Sequence, residues 1–429
     1  MKNIRYYAYW TLDKAAGSPV KNNFDEIENI MENMSEAEVA QWQKEKIGFL
    51  LKTASNNVPF YKDYRNYKQI QDCPVINKSD IKNNYDAFLS AVYKDKPLHK
   101  MSTSGSTGTP FTVLQNKEKR NRVIAELIYH NAIVGQYVGD KFIFYRVWTE
   151  KNKKSKLQQM KENIIPIDIL HLDDANLKYI VDVLNTDKKI RSTLAYASTY
   201  DMILKYIKDH NMKMDTGVKA MISSSELLSD ETRDGLEELL GCKVINRYSN
   251  QECGVLAQSD LHNKNMIINN ASYYIEVLDI DKDAPIQDGE VGRIVVTDLF
   301  NYAMPLIRYD TGDLGTISTY SGKRAFSTIQ GRRVDLIYDT KGRPLTPHTW
   351  SVYMWKFNKL KQYQFIQENK KEYVLKVNGA KGIYEKEEFE LLLKEILGDD
   401  ASIDVQFVDE IPTLASGKFK KTICNLREN

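Results

Sequence analysis

The hydrophobic pattern of the first 100 residues is that of helices. Apolar residues recur at helical spacing after Ser35, and Ser35 followed by Glu38 predicts a capping box at a helix start. Asn57, Val58 and Pro59 predict the end of that helix, because the residue before a proline avoids the α-helical region. Residues 1–100 are therefore predicted to be mostly helical.

From residue 101 to 331 the pattern changes to short apolar runs that alternate with helical stretches. The runs at 141–145, 221–222 and 243–245 predict parallel strands with helical crossovers. Two later runs, at 273–277 and 293–297, flank a turn-rich loop and predict an antiparallel or barrel-like portion. This region is predicted to be α/β, and with the helical segment before it to form one large multi-sheet α/β body.

The C-terminal region has the pattern of a separate small α+β module. Strand patterns at 363–367 and 373–377 precede an apolar helical stripe at 389–396, which ends at Gly398, and 402–408 predicts a final strand. The predicted parts are a body at 1–331, a hinge at 332–335 and a C-terminal lid domain at 336–429.

Composition excludes several classes of protein. The chain has 429 residues with 60 Lys and Arg against 58 Asp and Glu, a net charge of +2, which argues against a nucleic-acid-binding protein. No run approaches the roughly 18 uncharged apolar residues of a membrane span, and the N-terminal segment is too polar for a secretory signal. The cysteines are far apart and form no CxxC pair, so we expect a cytoplasmic protein without a membrane partner.

A Gly/Ser/Thr-rich segment at 101–111 carries the clearest chemical signal. Glycines allow backbone amides to approach a ligand, and interleaved hydroxyls add donors for phosphate oxygens. The segment lacks the spacing and lysine of a Walker A loop, and a flexible linker is the alternative. The candidate phosphate-binding residues are Ser102, Thr103, Ser104, Gly105, Ser106, Thr107 and Gly108.

Three later segments offer complementary groups. Tyr248 precedes Glu252, so a ring that stacks on a nucleobase could lie near a carboxylate that holds Mg²⁺. Asp313 follows a glycine in an apparent turn and could accept hydrogen bonds from a ribose diol, while Lys418 lies in a loop of small residues. The alternatives are a packed tyrosine beside a solvent-facing glutamate, an aspartate in a polar turn, and a solvated basic tail.

The ordered set of segments resembles the adenylate-forming superfamily of acyl-CoA synthetases and carrier-protein-charging domains. Within it, the chain is most similar to the phenylacetate-CoA ligase family and its capsular polysaccharide biosynthesis (CapK-like) branch. Further similar segments lie at 58–61, 74–78, 289–297 and 303–309, and 362–367 resembles the capsule branch. The resemblance covers nearly the whole chain.

The resemblance implies an AMP-forming carboxylate ligase that uses ATP and Mg²⁺. A carboxylic acid is activated as an acyl-adenylate with release of pyrophosphate, and the acyl group then passes to CoA, a carrier-protein thiol or an amine, as in surface-polysaccharide biosynthesis. Glu252 would hold Mg²⁺, and Lys418 would bridge the carboxylate and the α-phosphate. A homodimer is also suggested. The implied ATP-binding residues beyond the loop are Ser225, Glu226, Tyr248, Asp313 and Arg332, and Tyr196 with Ser198 lies in a segment similar to one near the substrate. Tyr145 and Arg146, at the end of an apolar strand, are the other candidates for the substrate pocket, and an aromatic residue that simply packs at the strand end is the alternative.

The chain departs from the pattern of the superfamily at three places. Phe111 and Thr112 stand where many members have a lysine after the phosphate loop, Gln251 replaces the usual Ser or Thr, and Val334 with Asp335 occupies the hinge. The unusual hinge leaves the second half-reaction open. The alternative functions are a nucleotidyltransferase that attaches AMP to a hydroxyl and a non-catalytic ATP-binding protein.

A structural zinc ion is not expected. Cys253 and His262 are similar to part of a zinc cluster of some relatives, but two ligands do not complete a tetrahedral site. His130 and His262 are isolated histidines for which packing or surface roles are expected.

Overall fold

The computed structural model describes residues 2–64, 67, 69–102, 111–148, 153–169, 172–332, 337–345, 353–357, 359–379, 382–412 and 420–426. The chain divides into two compact units. The first unit contains Met1–Thr311 and Gly315–Ile329, and the second contains Gly312–Leu314 and Gln330–Asn429. Val334 and Asp335 of the predicted hinge lie outside the described residues, so the division into body, hinge and lid stays a prediction.

The helices in the described part of the chain are α1 (Ile4–Ala15), α2 (Pro19–Glu32), α3 (Glu36–Asn57), α4 (Lys78–Asn83), α5 (Lys117–Ala132), α6 (Lys156–Glu162), α7 (Asp174–Thr186), α8 (Ala197–Asp209), α9 (Asp230–Leu240) and α10 (Lys386–Leu397). The strands are β1 (His99–Ser102), β2 (Thr112–Gln115), β3 (Lys141–Arg146), β4 (Ile164–Asp168), β5 (Ile190–Ala195), β6 (Ala220–Ser224), β7 (Lys243–Asn250), β8 (Gly254–Gln258), β9 (Met266–Ile268), β10 (Tyr273–Leu278), β11 (Val291–Asp298), β12 (Tyr309–Tyr320), β13 (Lys323–Arg332), β14 (Ile337–Tyr338), β15 (Pro344–Leu345), β16 (Gln362–Gln367), β17 (Glu372–Asn378), β18 (Ser402–Val408) and β19 (Thr422–Cys424).

Local signals determine the helical N-terminal region as predicted. The Ser35 hydroxyl accepts a hydrogen bond from the Glu38 amide, and the Glu38 carboxylate accepts one from the Ser35 amide. The helix α3 ends at Asn57 with Val58 in an extended conformation before Pro59, so both predicted boundaries are confirmed. None of the helices among the described residues is long and apolar enough to cross a membrane.

One large sheet dominates the first unit. Its strands in the described residues follow the order β10-β11-β12-β13-β9-β8-β7-β6-β5-β3-β4. The strands β4, β3, β5, β6 and β7 are parallel neighbours, whereas β7 with β8, β8 with β9 and β10 with β11 pair in antiparallel fashion. The predicted α/β body with an antiparallel portion is therefore confirmed.

The apolar cores lie on the two kinds of sheet. The parallel strands pack against α7, α8 and α9 through buried side chains such as Ile143, Tyr200 and Leu236. A second core surrounds the antiparallel strands and includes Leu50, Tyr273 and Tyr309. These cores fix the strand ends from which the candidate site residues project.

The second unit is a small α+β module. Its four-stranded sheet has the order β18-β17-β16-β19, α10 packs on this sheet through Phe389 and Leu393, and β14 and β15 pair separately. The predicted strands and the helix end at Gly398 are confirmed. The strand β19, which pairs in parallel with β16, was not predicted from the sequence.

Candidate functional site

The carboxyl ends of the parallel strands bring together residues of the predicted nucleotide and acid pockets. Tyr196 follows β5, and Ser225 with Glu226 follows β6, the neighbouring strand. The Ser198 amide donates a hydrogen bond of 2.8 Å to Glu226 Oε2 and so links the two segments. In open α/β sheets this edge is where ligands bind, because loops from neighbouring strands converge there.

The segment after β6 has an unusual backbone conformation. Ser225 is exposed and has a φ of 71°, a left-handed conformation that a non-glycine residue adopts at a cost of roughly 1–2 kcal/mol. The Ser224 hydroxyl lies 3.2 Å from the Ser249 hydroxyl on β7. Strained backbone of this kind occurs at ligand-binding sites, and the role of Ser225 in nucleotide binding stays a prediction.

Tyr248 is half-buried on β7. Its hydroxyl donates a hydrogen bond of 3.3 Å to Thr311 Oγ1, and its ring meets the Phe326 ring edge-on, with centroids 6.0 Å apart. The ring is thus partly packed against the core, as the structural alternative for this residue predicted. Its stacking on adenine stays a prediction.

Glu252 is buried rather than solvent-facing. It is 2% exposed in the turn between β7 and β8, and its Oε1 accepts a hydrogen bond of 3.2 Å from the Tyr309 hydroxyl. Lys78 Nζ lies 2.9 Å from the same oxygen and forms an ion pair with it. A buried carboxylate retains its charge only when partners of this kind compensate for the lost hydration.

Lys78 reaches this position through backbone pairing with β12. The Ile76 amide donates a hydrogen bond of 3.0 Å to the Arg308 carbonyl, and the Asp310 amide donates one of 2.7 Å to the Ile76 carbonyl. The next residue, Asn77, caps the short helix α4 that begins at Lys78. Lys78 was not predicted from the sequence to have a role, although it ends the family-like segment at 74–78.

Arg308 fixes the same segment from the other side. Its guanidinium forms a two-point contact with the Glu276 carboxylate at 3.1 Å and donates a hydrogen bond of 2.8 Å to the Cys73 carbonyl. Its backbone has a φ of 50°, so its packing maintains a strained conformation. Arg308 was not singled out from the sequence.

The ends of the predicted phosphate loop lie beside Glu252. The strands β1 and β2 pair in antiparallel register, and the Ser102 hydroxyl lies 2.8 Å from Thr112 Oγ1. Phe111 is 2% exposed and stacks on Tyr309 with centroids 6.4 Å apart, and Lys78 Nζ is 5.8 Å from the Phe111 centroid. Outside the described residues lie Thr103, Ser104, Gly105, Ser106, Thr107, Gly108 and Lys418.

Tyr145 and Arg146, the two predicted acid-pocket residues on β3, lie in different surroundings. Tyr145 is fully buried in the core of the parallel sheet, edge-on to Tyr200, and burial raises the pKa of its hydroxyl. Arg146 is half-buried, with its guanidinium carbon 5.4 Å from the ring centroids of both Phe144 and Trp148. Because side chains alternate along a strand, Tyr145 and Arg146 face opposite sides of the sheet.

Asp313 lies within a strand and not in the turn expected from its glycine. It is half-buried on β12 and follows Gly312, whose φ of 77° is a left-handed conformation within that strand. Glycine permits this local change of direction without a steric penalty. Arg332 ends β13, and its side chain is not among those described.

The described residues contain no group of three or more His, Cys, Asp and Glu side chains placed to hold a metal ion. Mg²⁺ in nucleotide sites commonly uses one or two carboxylates, with phosphates and water completing its shell. Glu252 beside the ends of the phosphate loop fits that requirement. The expected absence of structural zinc stays a prediction.

A cavity of about 830 Å³ opens elsewhere in the first unit, between α3 and the strands β9 and β13. The described residues that line it include none of the predicted site residues. The candidate site described above, at the edge of the parallel sheet and the adjoining β7–β8 turn, is thus separate from this cavity.

Known proteins similar to this chain include CapK and the phenylacetate-coenzyme A ligases. The family model described as the CapK C-terminal domain matches residues 337–425. The Staphylococcus aureus protein CapK is 28% identical over 376 residues, which cover 83% of this chain and 81% of that protein. The phenylacetate-coenzyme A ligase of Thermus thermophilus is 24% identical over 309 residues, which cover 68% of each chain.

Solved structures share the fold. The 2-hydroxyisobutyryl-CoA ligase in the postadenylation state in complex with 2-HIB-AMP has a TM-score of 0.71 at 17% identity, and the match covers 91% of this chain and 90% of that one. The same enzyme with 2-HIB-AMP and CoA in the thioesterification state has a TM-score of 0.60 at 18% identity, covering 92% and 91%. The chain is thus similar in sequence to CapK and to the phenylacetate-coenzyme A ligases over most of its length, and it has the fold of an adenylate-forming ligase.

Proposed function

We propose that this protein activates a carboxylic acid with ATP and Mg²⁺, forming an acyl-adenylate and releasing pyrophosphate. The observation that carries the proposal is the buried Glu252 carboxylate beside the Lys78 cation, next to the strand that leaves the phosphate loop. The relatives named as acyl-CoA ligases support the reaction class.

The charges at the site suit this reaction. A carboxylate and a triphosphate repel each other, and negative charge accumulates on phosphorus oxygens during the transfer, so positioning and neutralisation provide most of the catalysis. Glu252 would hold Mg²⁺, which would neutralise phosphate charge when bound. The phosphate loop has no lysine after its proline. Lys78, which lies beside Glu252 and Phe111, would supply a positive charge near the phosphates instead.

The acid pocket is proposed to lie at the ends of β3 and β5, with Arg146, Tyr196 and Ser198. A guanidinium placed near two aromatic rings can contact a polar or anionic group of the acid while the rings contact its apolar part. We do not include Tyr145, because it is fully buried on the opposite side of its strand.

The acceptor of the acyl group is proposed to be CoA. The relatives named phenylacetate-coenzyme A ligase and the solved 2-hydroxyisobutyryl-CoA ligase support that choice. The similarity to CapK leaves a carrier-protein thiol or an amine in surface-polysaccharide assembly as the alternative acceptors.

The test is acid-dependent pyrophosphate release, with hydroxylamine as a surrogate acceptor, across aryl, fatty, amino and sugar acids. Lys418→Ala and Glu252→Gln are expected to lower the rate about 100-fold or more, as the loss of a group that stabilises transition-state charge does. Lys394→Ala and Glu238→Gln, at exposed helix positions, are the matched controls and should retain the parent rate.

Two results would contradict the proposal. Unchanged release in Lys418→Ala would remove its assigned role. A product that retains AMP on a hydroxyl, identified by mass spectrometry, would instead support nucleotidyl transfer.

A further inference from the structure

A cluster of buried charged and polar side chains lies behind the turn that carries Glu252. The turn cluster consists of Lys119 and Glu126 on α5, Tyr273 on β10 and Asp298 on β11, and all four residues are fully buried. Lys119 Nζ is 2.8 Å from Asp298 Oδ2 and 3.8 Å from Glu126 Oε1. It also donates a hydrogen bond of 2.9 Å to the Tyr273 hydroxyl.

The cluster contacts the backbone next to Glu252. The Tyr273 hydroxyl lies 2.9 Å from the Cys253 carbonyl, and the Val255 amide donates a hydrogen bond of 3.3 Å to Glu126 Oε2. From the strand that follows the phosphate loop, Gln115 Nε2 donates a hydrogen bond of 3.1 Å to the Glu252 carbonyl. The chain from Glu252 to Val255 is therefore held at three backbone groups, those of Glu252, Cys253 and Val255.

Gly254 allows this close approach. Its φ is 141°, and a Cβ atom there would lie 2.5 Å from Glu126 Oε2 and 2.7 Å from the Tyr273 hydroxyl. Any side chain would therefore force Glu126, Tyr273 or the turn itself to move, and it would also adopt a strained φ. The backbone of the turn and the charged groups fit together only with glycine at this position.

Filling a core with charged groups costs desolvation free energy that apolar side chains would not require. Burial raises the pKa of the Glu126 carboxyl in spite of the nearby Lys119 and Arg122. Burial also opposes the charge of Lys119, but Asp298 and Glu126 outweigh that effect and raise its pKa. Because apolar residues of similar volume often stabilise a protein as well as a buried ion pair or better, stability alone does not explain the cluster.

We propose that the turn cluster is a positioning device for Glu252, and that Lys119 and Glu126 are positioning residues of the adenylation reaction. The inference rests on the proposed function, in which Glu252 holds Mg²⁺. A carboxylate that serves a metal ion must keep its orientation in the absence of the metal, and supporting hydrogen bonds and packing provide that order. The polar network fixes the backbone, whereas Lys78 and Tyr309 contact the side chain itself.

The test compares Glu126→Gln and Lys119→Met with the parent in the full-length protein. Arg233→Gln on α9 is the control, because Arg233 is also buried and its charged neighbours are Asp230, Glu237 and Asp234, none of which is in the turn. One readout is the Mg²⁺ concentration that gives half-maximal pyrophosphate release. The second is Mn²⁺ binding in the presence of α,β-methylene-ATP, measured by electron paramagnetic resonance, which needs no turnover.

Both cluster variants are expected to weaken metal binding about 10- to 100-fold, as the loss of residues that support metal ligands does. Binding of the nucleotide without metal should change little. The control should lower the unfolding temperature without changing either metal readout. Folded cluster variants with the metal dependence of the parent would overturn the inference.

Two further variants separate the possible failures. If Lys119→Met does not fold, Tyr273→Phe decides the question, because it removes only the hydroxyl next to the Cys253 carbonyl; unchanged metal binding would then overturn the inference. Glu252→Gln tests the proposed function in the same assays. If that variant binds Mn²⁺ like the parent, the role of Glu252 is wrong and the cluster loses its proposed purpose; if only the cluster variants bind like the parent, the proposed function stands.

Discussion

Replacing Lys78 by methionine tests whether the ion pair with Glu252 contributes to folding as well as to catalysis. The two charges are 2.9 Å apart. At an effective dielectric constant of about 20, that distance corresponds to an attraction of roughly 6 kcal/mol before any desolvation cost. The Lys78 side chain is 36% exposed and that of Glu252 is 3% exposed, so solvent screens one partner only. We expect a net coupling of about 1–2 kcal/mol, between the values of surface and buried pairs.

The assay is a double-mutant cycle with Lys78→Met, Glu252→Gln and the double variant, followed by urea unfolding without nucleotide. Lys78→Met keeps the length of the side chain and leaves a buried carboxylate without its cation, so it should be more destabilising in the parent than in the Glu252→Gln background. The reasoning would be refuted if the changes in unfolding free energy of the two single variants added up to that of the double variant to within about 0.5 kcal/mol.

The same variant tests the catalytic role of the cation. Lys78→Met is expected to lower the maximal rate of acid-dependent pyrophosphate release about 100-fold, a typical loss for one group that stabilises transition-state charge. Lys82→Met, at an exposed position of the same helix, is the matched control. A Lys78→Met enzyme with the rate of the control would exclude a contribution of Lys78 to neutralising the phosphates.

Three further predictions concern other parts of the chain. Asp313→Asn is expected to raise the KM for ATP about 10- to 100-fold by removing charged hydrogen bonds to the ribose, with the KM for the acid unchanged in steady-state assays. Arg308→Lys should lower the free energy of unfolding by roughly 1–3 kcal/mol, because lysine cannot reproduce the two-point contact with Glu276; urea unfolding equal to that of the parent would contradict this. Burial, helped by Arg247, lowers the pKa of His130 to about 3. The unfolded chain takes up this proton below about pH 6.5, so stability should fall by up to roughly 1.4 kcal/mol per pH unit as the pH decreases from there towards 3. His130→Gln should show a shallower dependence in urea unfolding between pH 7 and pH 5, and an equally steep one would contradict the assignment.

Much of the fold follows from local sequence patterns. The capping box at Ser35, the helix end before Pro59 and the strand Ser402–Val408 are each determined by residues close together in the chain. Such features depend on hydrogen bonds and periodicity that a sequence displays directly. The predicted elements were therefore confirmed where the signal was local, while β19, which pairs with a strand distant in sequence, was not predicted.

The candidate site was only partly predictable for the same reason. Glu252 was predicted as a metal ligand from its position four residues after Tyr248. Its burial and its contacts with Lys78 and Tyr309, however, depend on chain segments far apart in sequence. Asp313 was expected in a turn because a glycine precedes it, whereas the neighbouring strands keep the segment within β12. Tyr145 was a candidate for the acid pocket because it ends an apolar run, with packing as the alternative, and the alternation of the strand directs it into the core.

The segment after the phosphate loop shows that a cation missing from one motif can be supplied by another part of the chain. Read alone, Phe111 and Thr112 indicate that a cation is missing after the loop. In the fold, the pairing of Ile76 with Tyr309 places Lys78 within 5.8 Å of the Phe111 ring and against Glu252. The electrostatic requirement of phosphoryl chemistry concerns where a charge is, and not which segment supplies it. The absence of a lysine after the loop is therefore weak evidence against adenylation by this chain, and the contacts of Lys78 are more informative.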